Sequence, residues 1–159
     1  MTDSFPQRKG NRLKRFDYNS SNAYFLTICT QDRQRILSEI VPGKDGKPEI
    51  VLTKTGDVIE RNIRSIDNTG YALVDLYVIM PDHIHLIIRL NEKIKETIDP
   101  MNQTIPHIVS TLKRFCTKEI GYNVFQRSYY DHIIRDRNDY EERMKYVYEN
   151  PAKWYYEGK

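Results

Sequence analysis

The chain predicts an α+β fold: a ferredoxin-like or RRM-like sandwich in which a four-stranded antiparallel sheet carries helices on one face, with one more helix at the C-terminus. Three observations predict it. Short runs rich in β-branched and aromatic residues alternate with stretches of helical periodicity, in the order strand, helix, strand, strand, helix, strand, helix. Two βαβ-type crossovers around a central hairpin build a sheet of this kind. The length, 159 residues, gives one compact domain a real core but is too short for two.

The elements follow in order. Residues 1–21 are polar and basic and are expected to form a flexible arm, leaving residues 22–159 as a single domain. Tyr24 to Thr30 is aromatic and β-branched and predicts a central strand. Ile36 to Val41 and Pro48 to Leu52 flank the turn-rich segment Gly43-Lys-Asp-Gly-Lys47 and predict a small hairpin. Thr53 is an N-cap for a helix to about Ile66, with Val58, Ile59, Ile63 and Ile66 near helical spacing, and Asp67-Asn-Thr-Gly70 ends it. Val74 to Met80 and His83 to Leu90 predict two strands turned at Pro81-Asp82.

Asn91 to Thr104 is polar, contains Pro100 and predicts a loop. From Ile105 to Ile120 an apolar stripe of Ile105, Ile108, Val109, Leu112, Phe115 and Cys116 predicts a helix stopped by Gly121, with Lys113, Arg114 and Lys118 off the stripe. Ser128 to Arg135 alternates as a fourth strand. The last helix is expected from Asn138 to Asn150, closed by Pro151. A sheet with its helices on one side leaves the other face open to bind something.

Composition narrows the function classes. The formal net charge is only +3, but Arg8, Lys9, Arg12, Lys14 and Arg15 crowd the N-terminus, as a phosphate-binding arm or a solvated tail would. Twelve tyrosines suit stacking on bases as well as packing. Cys29 and Cys116 lie in apolar patterns, with neither a disulfide framework nor zinc-ribbon spacing. No apolar run approaches the roughly 18 residues of a membrane helix and no signal-peptide pattern is present, which predicts a soluble, cytoplasmic protein with no membrane partner.

Two stretches carry chemistry. On a strand, alternate side chains share a face, so His83 and His85 project together; they are a natural pair of metal ligands, while the commoner reading of a bare His-x-His is two strand-end histidines without a metal. In Asp139-Tyr-Glu-Glu-Arg-Met-Lys-Tyr-Val-Tyr-Glu-Asn150, helical geometry puts Tyr140, Met144, Val147 and Tyr148 on one arc, the expected core side. Tyr146 falls on another side with Asp139, Arg143 and Asn150. A tyrosine there suits either an attacking phenol beside an amide ligand or an ordinary surface position.

Together, Met80-Pro-Asp-His-Ile-His-Leu86, Phe125-Gln-Arg-Ser-Tyr-Tyr-Asp-His-Ile-Ile-Arg135 and Tyr146-Val-Tyr-Glu-Asn-Pro-Ala-Lys-Trp154 resemble the HUH single-tyrosine transposases, in particular the REP-associated group. The likeness spans roughly residues 12–154. It implies a DNA transposase acting as a metal-dependent single-strand endonuclease and strand transferase, with Tyr146 on the C-terminal helix as the catalytic nucleophile. His83, His85 and Asn150 would be the metal ligands and Mg2+ or Mn2+ the cofactor. Asn150 departs from the insertion-sequence branch, where glutamine is usual, and fits the REP-associated one.

The expected partner is single-stranded DNA with a hairpin nearby, gripped by Arg12, Lys14, Arg15, Lys113, Arg114 and Arg127. The sequence names no general base; His132 and Asp131 are the nearest in type, with a structural role expected for both. Homodimer and monomer both remain open, and with them whether Tyr146 serves its own histidines. Two other readings stand beside this one: a domesticated RRM-like module that binds nucleic acid without cutting it, and a metallohydrolase with no use for Tyr146.

Overall fold

The computed structural model describes residues 23–90 and 104–158. The N-terminal arm with Arg12, Lys14 and Arg15, and nearly all of the loop expected at Asn91 to Thr104, lie outside the described residues. Strand β1 is Ala23–Cys29, and β2 (Ser38–Pro42) and β3 (Pro48–Leu52) form a separate antiparallel hairpin. Helix α1 (Lys54–Ser65) leads into β4 (Ala72–Ile79) and β5 (His83–Leu90). Helix α2 (Ile105–Ile120), strand β6 (Tyr130–Ile133) and helix α3 (Arg137–Glu157) complete the chain. The main sheet has the order β4-β5-β1-β6 with every pair antiparallel, which is the predicted sandwich topology.

Local signals set the helix ends. The Thr53 side chain accepts from Gly56 N at 3.0 Å and caps α1, and the Thr104 side chain does the same for α2 through His107 N. Gly70 and Gly121 adopt φ of 85° and 101°, the left-handed region that ends a helix. Helices α1 and α2 cover one face of the sheet. Ile59, Ile63, Ile108, Val109, Leu112 and Cys116 pack there on Leu26, Ile28, Val74, Ile84, Leu86 and Ile88. Phe115, expected in the apolar stripe, sits at its edge and is half exposed. It lines a narrow groove between α1 and α2. No helix among the described residues is long and apolar enough to cross a membrane.

The second face of the sheet is not open. Helix α3 and the β2–β3 hairpin lie on it: Tyr140, Met144, Val147 and Trp154 pack against Phe25, Val78, Ile87, Ile40 and Ile50. A register shift between Val74 and Leu76 in β4 places two successive side chains, Asp75 and Leu76, toward α3. The buried Asp75 carboxylate then accepts from Arg89 Nε at 2.6 Å and from Tyr140 Oη at 2.5 Å.

Two expectations for α3 change. The helix runs through Pro151 to Glu157 instead of ending at Asn150. Proline removes one hydrogen bond and crowds the carbonyl four residues back, at a cost of about 3 kcal/mol. Tertiary contacts offset it: Trp154 joins the second core cluster and Arg35 lies 4.9 Å from its ring centroid. Gly158, in the left-handed region, closes the helix on Trp154 O. Tyr148, expected in the core, is half exposed, because the buried arc centres on Tyr140, Met144 and Val147 and leaves it at the margin.

Two variants test this packing. A Cβ at Gly56 would meet Leu37 O at 2.1 Å. Gly56→Ala should therefore lower the urea midpoint, although the same change in an exposed helix gains up to about 1 kcal/mol. Tyr140→Phe leaves Asp75 short of a buried donor and should cost roughly 1.5–3 kcal/mol by the same measurement.

Candidate active site

Strand β5 starts from a tight turn that is tied down on every side. Met80 N donates to His83 O at 2.8 Å across Pro81-Asp82. Asp82 O accepts from Thr30 N and from the Thr30 hydroxyl, and Pro81 O accepts from Leu37 N. Asp32 and Arg33 follow Thr30 with φ of 53° and 55°, an uncommon conformation for non-glycine residues. It folds Arg33 back so that its Nε donates to Asp82 Oδ2 at 3.0 Å. The first histidine thus stands on a braced turn.

Strand alternation sends Ile84 and Leu86 into the α1–α2 core and His83 and His85 to the opposite face. Both imidazoles are buried, at 8% and 3% exposure. His83 Nδ1 meets Asp82 Oδ1 at 2.7 Å, and His85 Nδ1 meets Thr27 Oγ1 at 2.9 Å from the register-paired position on β1. An Nδ1–H donating in each case leaves both Nε2 atoms as bare lone pairs. His83 Nε2 lies 3.4 Å from Asn150 Oδ1. His85 Nε2 is buried and has no hydrogen-bond partner.

Electrostatics favour the neutral imidazole at His85. Burial, reinforced by the neighbouring His83, pushes its pKa down to about 3. Burial works against ionisation of Asp82. The hydrogen bonds from His83 and Arg33 outweigh it and hold the carboxyl below its usual range. A bare, neutral imidazole nitrogen with no proton donor in reach is what a cation ligand requires.

Helix α3 completes the site. Asn150 is buried at 6% exposure over His83, and Tyr146, one turn earlier, is 43% exposed. The Tyr146 ring lies edge-on to His85 at 5.2 Å and to Phe25 at 5.9 Å between centroids, while Phe25 stacks on His85. These residues, with Thr27, Arg33, Tyr130, Arg143, Lys153 and Trp154, line a cleft of about 570 Å³. The four residues singled out in the sequence, His83, His85, Tyr146 and Asn150, meet within one chain.

The remaining expected residues lie elsewhere. Lys113, Arg114 and Arg127 border a second groove with Gln31, Lys118 and Gln126. Lys113 Nζ donates to Gln126 O at 2.7 Å and to Arg127 O at 2.9 Å, so it also clamps the segment after α2. His132 Nε2 is held 2.8 Å from Asp139 Oδ2, whereas Asp131 is exposed. His107 meets Thr111 within α2 and does not line the cleft. Cys29 and Cys116 are free, and burial pushes the Cys116 thiol up to about 12.

Sequence reasoning assigned no role to Thr27, Arg33, Asp82 or Arg143. Asp82 and Arg143 were within reach, the first adjacent to His83 and the second three residues before Tyr146 on the same helix side. Thr27 and Arg33 arrive only through strand register and a left-handed turn. Among the described residues no group of three His, Cys, Asp or Glu side chains could hold a metal ion. A third donor at the histidine pair would have to be the Asn150 amide oxygen.

No protein-family model matches the chain. An uncharacterized protein of Haemophilus influenzae is 30% identical over 167 aligned positions, covering 92% of this chain and 89% of its own. A second H. influenzae protein, provisionally named a REP-associated tyrosine transposase, is 24% identical over 146 positions, covering 87% and 75%. Among solved structures, a REP-associated tyrosine transposase bound to a REP hairpin matches with a TM-score of 0.62 at 21% identity, over 87% of this chain and 72% of that one. Fold, paired histidines, tyrosine helix and relatives agree: over most of its length the chain is similar to REP-associated tyrosine transposases, with which it shares the fold.

Proposed function

We propose that the protein is a transposase that cuts and rejoins single-stranded DNA through a covalent bond to Tyr146, acting on the strand beside a hairpin. One observation carries the reading. A buried, partnerless His85 Nε2 and the His83 Nε2 face toward one side-chain amide, Asn150, with a tyrosine ring against the same histidine. Binding nucleic acid alone requires none of these groups.

Attack by Tyr146 Oη on a backbone phosphorus forms the tyrosyl–phosphate bond as the bond to the 3′-oxygen breaks. The phenolic proton goes to water and the 3′-oxygen takes one up. The product is a 5′-phosphotyrosine and a free 3′-hydroxyl, and because the phosphodiester energy is kept, the reverse attack rejoins DNA without ATP. His83 Nε2, His85 Nε2 and Asn150 Oδ1 would hold a divalent cation, Mg2+ or Mn2+, which when bound supplies Lewis-acid polarisation of the phosphate. The Asp82 carboxylate, which only accepts, fixes the His83 tautomer with Nε2 turned inward, and Thr27 Oγ1 holds the His85 ring in place. Phe25 and Trp154 form the apolar wall of the cleft beside the histidines.

The hairpin is proposed because the solved relative is bound to one. The basic groove of Arg114 and Arg127, and the arm with Arg12, Lys14 and Arg15, suit a phosphate backbone. The tyrosine is proposed to act in cis, since its ring already meets His85 of its own chain.

Incubation with manganese and a pool of labelled, hairpin-flanked single-stranded oligonucleotides of randomised flank, followed by denaturing electrophoresis, should yield a covalent protein–DNA band. The band should persist in Tyr148→Phe and vanish in Tyr146→Phe. Binding with no adduct on any substrate would replace this reading with that of a non-cutting module. Mixing Tyr146→Phe protein with His83→Ala/His85→Ala protein should restore no adduct, whereas recovery of the band would assign the tyrosine to a partner copy.

A further inference from the structure

Phe25 is a platform shared by two side chains of α3. Tyr146 touches it edge-on, and the Arg143 guanidinium carbon stands 5.3 Å from its ring centroid. The two lie three residues apart on one side of the helix and both line the cleft. The Arg143 side chain is 30% exposed; its guanidinium is oriented by the Phe25 ring and by an ion pair, Nε 3.5 Å from Asp139 Oδ1, in which the buried Nε makes no hydrogen bond.

Asp139 is itself immobilised. Its carboxylate accepts from Arg135 N at 3.0 Å and from His132 Nε2 at 2.8 Å. His132 pairs in register with Phe25, so a single row of contacts runs from the edge strand to the arginine. Burial opposes ionisation of Asp139, but these donors outweigh it and hold the carboxyl below its usual range. The terminal nitrogens of Arg143 make no hydrogen bond to any described residue, while Arg33, the other arginine of the cleft, is engaged by Asp82 and Cys29. An oriented fork with an open outer edge, beside a nucleophile that attacks phosphorus, matches two non-bridging phosphate oxygens.

We infer that Arg143 is the cleft's phosphate clamp, a catalytic residue that pairs with the scissile phosphate beside Tyr146, and that Asp139 and His132 are its positioning residues. The inference rests on the reading of the chain as a tyrosine DNA endonuclease. It adds a protein cation beside Tyr146 to the groups that line the cleft. Charge accumulating on the phosphoryl oxygens as Tyr146 Oη bonds and the 3′-oxygen departs would meet that guanidinium without reorganisation.

The test uses the full chain, manganese and an oligonucleotide cut in the pool experiment, synthesised with either an ordinary phosphate or an uncharged methylphosphonate at the scissile position. On the phosphate, Arg143→Ala and Arg143→Gln should slow adduct formation roughly 100-fold, with Arg143→Lys between them and wild type. On the methylphosphonate the gap between wild type and Arg143→Ala should close to within about threefold, because there is no phosphate charge left to neutralise. Asp139→Asn should slow the phosphate reaction alone but add no further loss to Arg143→Ala, the sign of a residue acting through the arginine. An equal loss on both substrates would assign Arg143 a structural role and overturn the inference, as would wild-type rates in all three Arg143 variants. Absence of any adduct in the wild-type chain would instead remove the endonuclease reading, and this inference with it.

Discussion

The site depends on a buried contact that lies outside it. The Asp75 carboxylate, pushed toward α3 by the β4 bulge, is held by Arg89 and by the Tyr140 hydroxyl. A lone carboxylate at that depth would be costly; with two donors it becomes a directional anchor. The apolar arc of α3 is narrow, chiefly Tyr140, Met144 and Val147, and an apolar arc alone fixes a helix poorly along its axis. The hydroxyl contact sets that register. Once it is set, helical geometry carries Arg143, Tyr146 and Asn150 to the histidine face of the sheet within about three turns.

The histidines are prepared by the opposite strategy. Their faces are packed between Phe25, Trp154 and each other, and their Nδ1 atoms are occupied by Asp82 and Thr27. Burial keeps His85 neutral, so two lone pairs point at one small volume beneath Asn150. The negative charge of Asp82 sits behind the ring instead of in the cleft, where Arg33 shares it. The cleft itself presents donors and cations, an environment suited to a phosphate.

Much of this was legible in the chain. Period-two alternation through His83, Ile84, His85 and Leu86 fixes which residues share a face, and Thr53, Gly70 and Gly121 mark helix ends through local backbone chemistry. The wheel of the last helix separated Tyr146 from the buried arc and joined it to Asn150. Local rules failed where distant packing outweighs them. Pro151 should have closed α3 at Asn150, but Trp154 against the second core and Arg35 on its ring accompany a helix that runs on to Glu157. Tyr148 and Phe115 belong to apolar patterns yet remain half exposed, because each lies at the margin of its arc, where no facing element covers it fully.

The sequence by itself determined the element order, the sheet topology that follows from two crossovers around a hairpin, and the identity of the paired histidines and the tyrosine helix. Each of these is a matter of periodicity, capping or turn chemistry within a few residues. Only the tertiary structure decided that the sheet's second face is covered by α3, that Tyr146 meets the histidines of its own chain, and that Thr27, Arg33 and Arg143 join them. Those outcomes rest on a strand register and a buried carboxylate, which couple Thr27 to His85 across 58 positions and Asp75 to Tyr140 across 65. No short window of sequence contains both partners of such a contact.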